Sequence, residues 1–316
     1  MSIPMTSLPN PDAPFRIGTR GSPLALAQAH ETRARLGKAF DLPEDAFEIV
    51  VIKTTGDKIL DRPLGEIGGK GLFTREIEDA LLDGSIDIAV HSMKDMPVLQ
   101  PEGLIIDCCL PREDVRDAFL TLDGTALADL PEGTVVGTSS LRRKSQLLHK
   151  RPDLQIVEFR GNVQTRLRKL EDGVATGTFL AMAGLRRLGL TDLSATPIPT
   201  DEMLPAVAQG AIGIERRRDD TRAGDMLSAI SDTPTVQRLA AERAFLKALD
   251  GSCQTPIAGL AELDGGSMKL RGEILRIDGS EAQADGTDGA IEDGPEMGRA
   301  LAATLLDRAG PGFLTH

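Results

Sequence analysis

The sequence predicts an α/β fold built from more than one domain. From residue 15 onward, apolar runs typical of strands alternate with segments of helical periodicity, and this alternation indicates a largely parallel sheet. The pattern appears over 15–110 and again over 134–183, and a third unit follows a helix predicted over 235–249. Since 316 residues exceed one usual hydrophobic core, two or three domains are expected.

The first unit follows a proline-containing stretch, 1–14, which we expect to be a mobile leader. Helices are predicted to start at Pro23 and near Leu72, where apolar residues recur at helical spacing. Strands of this unit are predicted at 15–19, 47–53, 87–91 and 104–110.

The later units are predicted in the same way. Helices are expected from Leu141, over 162–170, over 235–249 and near 296–308. The Asp- and Gly-rich stretch 278–294 is interpreted as a solvated hairpin and loop. The strands are expected at 134–138, 154–159, 178–183, 211–214, 256–263 and 268–277.

Composition argues against several classes of protein. The 36 Lys and Arg against 48 Asp and Glu give a net charge of −12, which excludes a global basic surface for nucleic acid. The aromatic content of 3% argues against binding that needs base-stacking platforms. No stretch approaches the roughly 20 apolar residues of a membrane helix, and 1–14 lack the order of a signal peptide.

Cysteine and histidine usage bears on location and on metals. The three cysteines, Cys108, Cys109 and Cys253, form an odd set without metal-ligand spacing, which suits a reducing compartment. We therefore expect a cytoplasmic protein without a metal. His91 lies on an apolar strand and is interpreted as a satisfied polar group rather than a catalyst.

Five loops that follow predicted strands carry lysine or arginine. Ligands of open α/β sheets bind beyond the carboxyl ends of strands, where helix N-termini attract anions, so we expect these cations to converge on one polyanion. A single such loop is as often a plain helix cap as an anion site, but five in one chain favour a site. The cations are Arg20, Lys70, Lys94, Arg142 with Arg143, and Arg160 with Arg166.

Two further residues could carry chemistry. Asp95 stands beside Lys94 directly after a buried strand, where a carboxylate can donate and accept protons, although an ion pair that caps a turn has the same pattern. Cys253 lies on a tight loop between a predicted helix and strand. An accessible thiolate there could be a nucleophile or an attachment point, and the alternative is an idle surface cysteine.

Together these motifs resemble the porphobilinogen deaminase family. The similarity runs from residue 15 to the C-terminus and is strongest at 68–73, 89–97, 137–143, 159–166, 204–213 and 251–257. It implies a transferase of tetrapyrrole (heme) biosynthesis that condenses four porphobilinogen molecules head to tail, with release of ammonia, to form hydroxymethylbilane. It also implies a dipyrromethane cofactor that serves as primer.

The resemblance assigns roles to single residues. Cys253 would hold the dipyrromethane covalently in a thioether bond, and Asp95 would be the central acid/base and contact the pyrrole N–H groups. The other cofactor-binding residues would be Lys94, Thr138, Ser140, Arg142 and Arg143. The residues that bind incoming substrate would be Arg20, Ser22, Arg160, Arg166 and, with a weaker match, Gln209, while the loop over 59–71 with Lys70 would act as a lid.

The resemblance also implies the domain arrangement. Two similar α/β domains would resemble periplasmic ligand-binding proteins, and a smaller α/β C-terminal domain would carry the cofactor cysteine. The expected bounds are 15–112 with 204–230 for domain 1, 113–203 for domain 2 and 231–316 for domain 3. The resemblance favours a monomer.

The residues alone leave three other hypotheses about the function open. A binding protein for an anionic small molecule would share the two-lobed architecture but would need neither Cys253 nor Asp95. A thiol-dependent transferase of another kind would use Cys253 in turnover and keep no permanent adduct on it. Nucleic-acid binding is the weakest alternative because of the negative net charge.

Overall fold

The computed structural model of the chain describes residues 8–58, 74–190, 192–251 and 255–314. These residues form two compact units. The first lies within Met1–Arg112 and Ala211–Val236, and the second within Glu113–Gly210 and Gln237–His316. None of the helices in the described ranges combines the length and apolar character that crossing a bilayer requires.

The regular elements of the described residues are numbered in chain order. The strands are β1 (Phe15–Thr19), β2 (Phe47–Val51), β3 (Ile88–Ser92), β4 (Leu104–Cys109), β5 (Asp117–Thr121), β6 (Val135–Gly137), β7 (Gln155–Val157), β8 (Gly177–Ala181), β9 (Ala195–Pro197), β10 (Ile212–Arg217), β11 (Ile257–Asp264), β12 (Ser267–Leu275) and β13 (Ala282–Ala290). The helices are α1 (Pro23–Phe40), α2 (Thr55–Lys58), α3 (Arg75–Leu82), α4 (Leu141–Lys150), α5 (Val163–Glu171), α6 (Met182–Arg187), α7 (Thr221–Ser228), α8 (Thr233–Ala248) and α9 (Gly294–Ala309).

The first unit is a five-stranded sheet in the order β2-β1-β3-β10-β4. The strand β1 runs parallel to β2 and β3, whereas β10 runs antiparallel to β3 and β4. Because side chains alternate between the two faces of a strand, Ile17, Ile88 and Ile214 point into one core. That core is completed by α1 and α7, while α3 packs its buried Ile77 and Leu81 into a separate core with Ala89.

The second unit contains a sheet of the same design, in the order β7-β6-β8-β5-β9. Here β6 runs parallel to β7 and β8, and β5 runs antiparallel to β8 and β9. Phe119 and Phe179 share one core with Leu147 of α4, and their rings lie 5.1 Å apart. Leu120 and neighbouring residues form a second core with α5 and α6. Helices therefore contribute to both hydrophobic cores of this sheet: α4 to one, and α5 and α6 to the other.

A smaller antiparallel sheet, β11-β12-β13, completes the second unit. The helix α8 places the buried Phe245 on this sheet, where a methyl group added at Gly272 would lie 2.5 Å from its ring. On α9, a methyl group added at Gly298 would overlap the main-chain oxygen of Ala241 in α8. Two glycines thus allow sheet, α8 and α9 to pack closely.

The predicted fold class is confirmed: two α/β sheets share one strand order, and a smaller α/β part follows toward the C-terminus. The starts of β1, of α1 at Pro23 and of α4 at Leu141 agree with the prediction. The boundaries between the two compact units fall after residues 112, 210 and 236. The bounds of the three predicted domains stay a prediction. Residues 8–14 of the predicted leader include a turn in which the main chains of Asn10 and Ala13 bond to each other.

The strand predictions differ from the structure in detail. The largely parallel sheet is confirmed for four of the five strands in each sheet, and β10 and β5 are antiparallel insertions. The predicted hairpin in 278–294 is confirmed, since β13 pairs antiparallel with β12, from Leu275 with Ala282 to Ser267 with Ala290. As an edge strand with half-buried and exposed side chains, β13 needs no apolar run. The strand β5 was missed because it opens with a buried aspartate, Asp117.

Candidate active site

Two loops of the first unit carry predicted site residues. Arg20 and Ser22 follow β1, while Lys94 and Asp95 follow β3, the parallel neighbour of β1. Because parallel neighbours end at the same edge of a sheet, these four residues share the carboxyl-end edge of the first unit. The position is the one that open α/β sheets use for ligands.

The loop after β1 starts a helix in the predicted way. The Oγ atom of Ser22 accepts a hydrogen bond from the main-chain N–H of Ala25 at 3.2 Å, and Pro23 occupies the first turn. The helix α1 carries Gln28, whose side-chain amide hydrogen-bonds with the hydroxyl of Ser92 at the end of β3. This contact ties α1 to the strand that precedes Asp95.

The Lys94–Asp95 pair lies on an anchored 3-10 turn. The side chain of Met93 is buried, and its main-chain N–H donates to the carbonyl of Ala211 at 3.0 Å. A methyl group added at Gly213 of β10 would overlap the Met93 Sδ atom, so this glycine makes room for the anchor. Asp95 itself is exposed. The turn therefore presents a carboxylate to solvent from a fixed base.

His91 lies beneath this turn and is hydrogen-bonded, in agreement with its interpretation as a satisfied polar group. Its Nε2 atom lies 3.0 Å from Oε2 of Glu215, and both side chains are buried. Burial raises the pKa of the neighbouring Glu78, and the charge of Glu215 adds to that rise. The side chains of His91, Glu215 and Glu78 are all buried, so they are shielded from solvent.

The second unit gathers another set of predicted residues around the start of α4. Thr138 follows β6, and its hydroxyl accepts from the main-chain N–H of Ser140 at 3.2 Å. Ser140 caps α4 and accepts from the N–H of Arg143. Arg142 and Arg143 occupy the first turn of the helix, and both are buried, with 4% and 6% of their surfaces exposed.

Arg160 and Arg166 follow the adjacent strand β7. Arg166 lies in α5, and its guanidinium donates to the main-chain oxygens of Gly161 at 3.0 Å and Phe179 at 3.3 Å. The Phe179 oxygen also accepts from Arg143 at 3.1 Å, so two guanidinium groups meet at one carbonyl. The main-chain oxygen of Arg160 accepts from Lys169 at 3.1 Å.

A buried carboxylate that the sequence analysis did not identify holds the arginine pair. Asp117, at the start of β5, accepts from Arg142 Nη2 at 2.7 Å through one oxygen and from Arg143 Nη2 at 2.6 Å through the other. Both guanidinium groups are oriented by it, and Asp117 has no exposed surface. The short distances are those of charge-assisted hydrogen bonds.

Electrostatics keeps this cluster cationic. Burial would raise the pKa of Asp117, but the adjacent charges of Arg142 and Arg143 outweigh it and hold the pKa below its usual range. Burial, with the nearby Arg143 charge, lowers the pKa of Arg166 to about 10, which leaves it protonated at neutral pH. Asp117 therefore pairs with two guanidinium groups, Arg166 adds a third beside Arg143, and these forked donors suit an anion.

Gln209, the weaker candidate, also contacts Asp117. Its side-chain amide donates to Asp117 Oδ1 at 3.0 Å and to the carbonyl of Val115 at 2.8 Å. The preceding Ala208 has a positive φ of 61°, and its main-chain N–H donates to Glu242 at 2.7 Å. Gln209 is thus held close to the arginine pair by a constrained segment.

Several predicted residues lie outside the described residues. These are Cys253, between α8 and β11, and Lys70 with the rest of 59–71. The structure places Arg20, Ser22, Lys94 and Asp95 in the first unit and Thr138, Ser140, Arg142, Arg143, Arg160, Arg166 and Gln209 in the second. Within the described ranges, no group of three or more His, Cys, Asp or Glu is arranged to hold a metal ion.

Two family models match the chain. The model for the porphobilinogen deaminase dipyrromethane cofactor binding domain matches residues 15–225, and the model for the C-terminal domain of the same enzyme matches 236–307. The chain belongs to the porphobilinogen deaminase family. The C-terminal match includes the position of Cys253.

Relatives at high identity agree. A porphobilinogen deaminase of Paracoccus denitrificans is 67% identical over 309 residues, which cover 98% of this chain and 99% of the relative. A chloroplastic porphobilinogen deaminase of Pisum sativum is 53% identical over 319 residues, covering 99% of this chain and 86% of the relative. The resemblance inferred from the motifs is thereby confirmed.

Solved structures of other proteins align more distantly. The periplasmic aliphatic sulphonate binding protein of Escherichia coli is 15% identical, with 75% of this chain aligned to 70% of that one and a TM-score of 0.40. The binding protein of a probable amino-acid ABC transporter from Bacillus subtilis is 13% identical, with 72% of this chain aligned to 96% of that one and a TM-score of 0.40.

Proposed function

We propose that this member of the porphobilinogen deaminase family carries out its reaction with Cys253 as the cofactor attachment point and Asp95 as the acid/base. The reaction condenses four porphobilinogen molecules head to tail, releases ammonia at each addition and yields hydroxymethylbilane for tetrapyrrole biosynthesis. The family match and the relatives support the reaction. The residue roles rest on the motifs and on the local geometry.

The observation that carries the proposal is the arginine cluster held by Asp117. Each pyrrole of the substrate bears two carboxylates, so the growing chain is a polyanion. Arg142 and Arg143 each use part of their guanidinium on Asp117, and the Nε of Arg142 has no hydrogen-bond partner among the described residues. A buried cluster of guanidinium groups with a donor to spare fits carboxylate side chains, and the residues therefore fit the dipyrromethane cofactor.

The cofactor-binding residues are proposed from this fit. When bound, the dipyrromethane supplies the free pyrrole position to which the first substrate is joined. Hydroxyls at Thr138 and Ser140 stand beside the first turn of α4, where the helix N-terminus favours negative charge. The proposed set is Lys94, Asp95, Thr138, Ser140, Arg142 and Arg143, with Cys253 forming the thioether.

Asp95 is proposed to move protons. Its carboxylic acid can protonate the departing amino group of porphobilinogen, and its carboxylate can then accept hydrogen bonds from pyrrole N–H groups. The exposed position on an anchored turn supports this role because the carboxylate is both accessible and fixed in place.

Substrate binding is proposed for a second group of residues, which are cationic or polar. Arg20 and Ser22 stand at the end of β1, and Arg160 and Arg166 follow β7, which are positions suited to carboxylates. Gln209 would act through Asp117, to which its amide donates. We further propose that the enzyme is a cytoplasmic monomer, which cell fractionation and light scattering of the purified protein would test.

The intact mass of the purified protein, measured beside Cys253→Ala, tests the proposal. We expect an added mass of two linked pyrrole units on the wild type and none on the variant. A wild type at the bare mass would be incubated with porphobilinogen and measured again. Continued absence of an adduct would contradict the proposed function and favour the binding protein for an anionic small molecule.

A further inference from the structure

The helix α4 has a second set of contacts besides those of its arginine-bearing first turn. Three later residues of this helix hydrogen-bond to β12 or to the turn that follows it. Ser145 donates to the carbonyl of Ile277 at 3.1 Å, and Nδ1 of His149 lies 2.9 Å from the carbonyl of Gly279. The third, Gln146, donates to Glu273 of β12 at 2.6 Å. One helix therefore contacts both the arginine site and the C-terminal part of the unit.

Close packing keeps these contacts in place. Gly279 has a φ of 74°, and a methyl group added to it would lie 2.6 Å from the main-chain nitrogen of His149. Ser145 has no exposed surface, and Gln146 has only 3%. The turn after β12 is thus seated directly on α4.

Gln146 connects the two sets of contacts through a single side chain. Its Oε1 atom accepts from Arg142 Nη1 at 2.9 Å, while its Nε2 atom donates to Glu273 Oε2 at 2.6 Å and to the carbonyl of Leu204 at 3.1 Å. Since the guanidinium only donates and the carboxylate and carbonyl only accept, only one orientation of the amide satisfies all three contacts. Arg142 Nη1 also donates to Leu204 at 3.0 Å.

We propose that Gln146 is a positioning residue, through which Glu273 fixes the guanidinium of Arg142 for the cofactor carboxylate. The inference rests on the proposed function of Arg142. Asp117 orients the Nη2 side of this guanidinium and Gln146 orients the Nη1 side, so the plane of the group is set by two partners from different parts of the fold. The part of the chain that contains Cys253 thereby sets the geometry of an arginine that binds the cofactor.

An exchange of the two side chains tests this role. Gln146→Glu places a carboxylate against Glu273 and removes two donors, and we expect primer incorporation into the apo-enzyme and kcat to fall about tenfold, with KM changed less than about twofold. Adding Glu273→Gln to it returns a donor to the pair. We expect the double variant to recover both rates to within about threefold of wild type.

Two measurements separate positioning from general stability. Incorporation is followed by intact mass after porphobilinogen is added to the apo-enzyme, and Tm is recorded for each variant. Glu262→Gln is the matched control, because Glu262 is an exposed carboxylate of β11 that pairs with Arg271. It should leave incorporation and kcat unchanged.

The outcomes distinguish this inference from the proposed function. Wild-type rates in Gln146→Glu, or a double variant no better than the single one, would overturn the positioning role while the deaminase reaction stands. A wild type without adduct or turnover would overturn the proposed function as well. If Gln146→Glu does not fold, Glu273→Ala replaces it, with about a threefold loss expected and unchanged rates contradicting the role.

Discussion

At the scale of single residues, Asp117 is the carboxylate that joins Arg142 and Arg143 in the second unit. It accepts hydrogen bonds from two guanidinium groups and from the amide of Gln209, and it is fully buried. A lone buried carboxylate would be strongly unfavourable, and a lone buried guanidinium equally so. Each side of the network therefore depends on the other.

Replacement of Asp117 by asparagine should destabilise the protein because it leaves Arg142 and Arg143 buried without their carboxylate. Breaking a buried pair from one side costs about 3–5 kcal/mol, and we expect the free energy of unfolding to fall by that amount. Denaturant titration at neutral pH measures it. Asp129→Asn, at an exposed aspartate of the same unit, is the control, and an equal change in both variants would contradict the assignment.

At the scale of elements, the 3-10 turn that carries Asp95 depends on a neighbouring strand. The main chain of Met93 bonds to Ala211, and its side chain occupies the space that Gly213 leaves beside β10. The segment that enters β10 thus provides the hydrogen bond, and β10 itself provides the space for the Met93 side chain.

A methyl group at position 213 should therefore displace the turn. We expect Gly213→Ala to lower the free energy of unfolding by about 1–3 kcal/mol, as overpacking does, and to lower kcat because the Asp95 carboxylate moves. Unfolding titrations and steady-state rates measure the two effects.

The same substitution elsewhere and a compensating change serve as controls. Gly266→Ala adds a methyl group where no atom lies within 4 Å, so it should have little effect. Met93→Ala combined with Gly213→Ala removes the overlap, so the double variant should lose less stability than the sum of the two single variants. If Gly213→Ala alone leaves kcat unchanged, the position of the Asp95 turn does not depend on the space at Gly213.

At the scale of the whole molecule, stability should depend on pH through Asp117. Its pKa in the folded state lies below the ordinary aspartate value of about 3.9, so the unfolded state takes up a proton first as the pH falls. The stabilisation is present in full above that value and is lost as the pH falls toward the folded pKa.

The difference in unfolding free energy between wild type and Asp117→Asn should accordingly be largest near neutral pH and shrink below about pH 4. Denaturant titrations of both proteins between about pH 3 and 7 measure it. A difference that stays constant over this range would mean that the charge of Asp117 does not contribute to stability.

Much of the architecture could be predicted from local patterns. The apolar runs and the Ser-Pro and Ser-Ser caps located β1, α1 and α4, because these elements depend on residues a few positions apart. The cations after strands were identified for the same reason. The bounds of the edge strand β13 within the predicted hairpin were not located, because main-chain pairing with β12, rather than its own side chains, makes it a strand.

The residues of the candidate site also differ in whether they could be predicted from local sequence patterns. Its cations, hydroxyls, Asp95 and Cys253 could be named from the sequence, since their chemistry is carried by residue type and by motifs in order. Asp117 and Glu273 could not, because each acquires a role only through a partner that is distant in the chain: Asp117 lies 25 positions from Arg142, and Glu273 lies 127 from Gln146. In the sequence alone, an aspartate such as Asp117 has the pattern of an exposed surface residue. Folding buries Asp117 beside two guanidinium groups, and the cost of desolvating the three charges separately makes their association necessary.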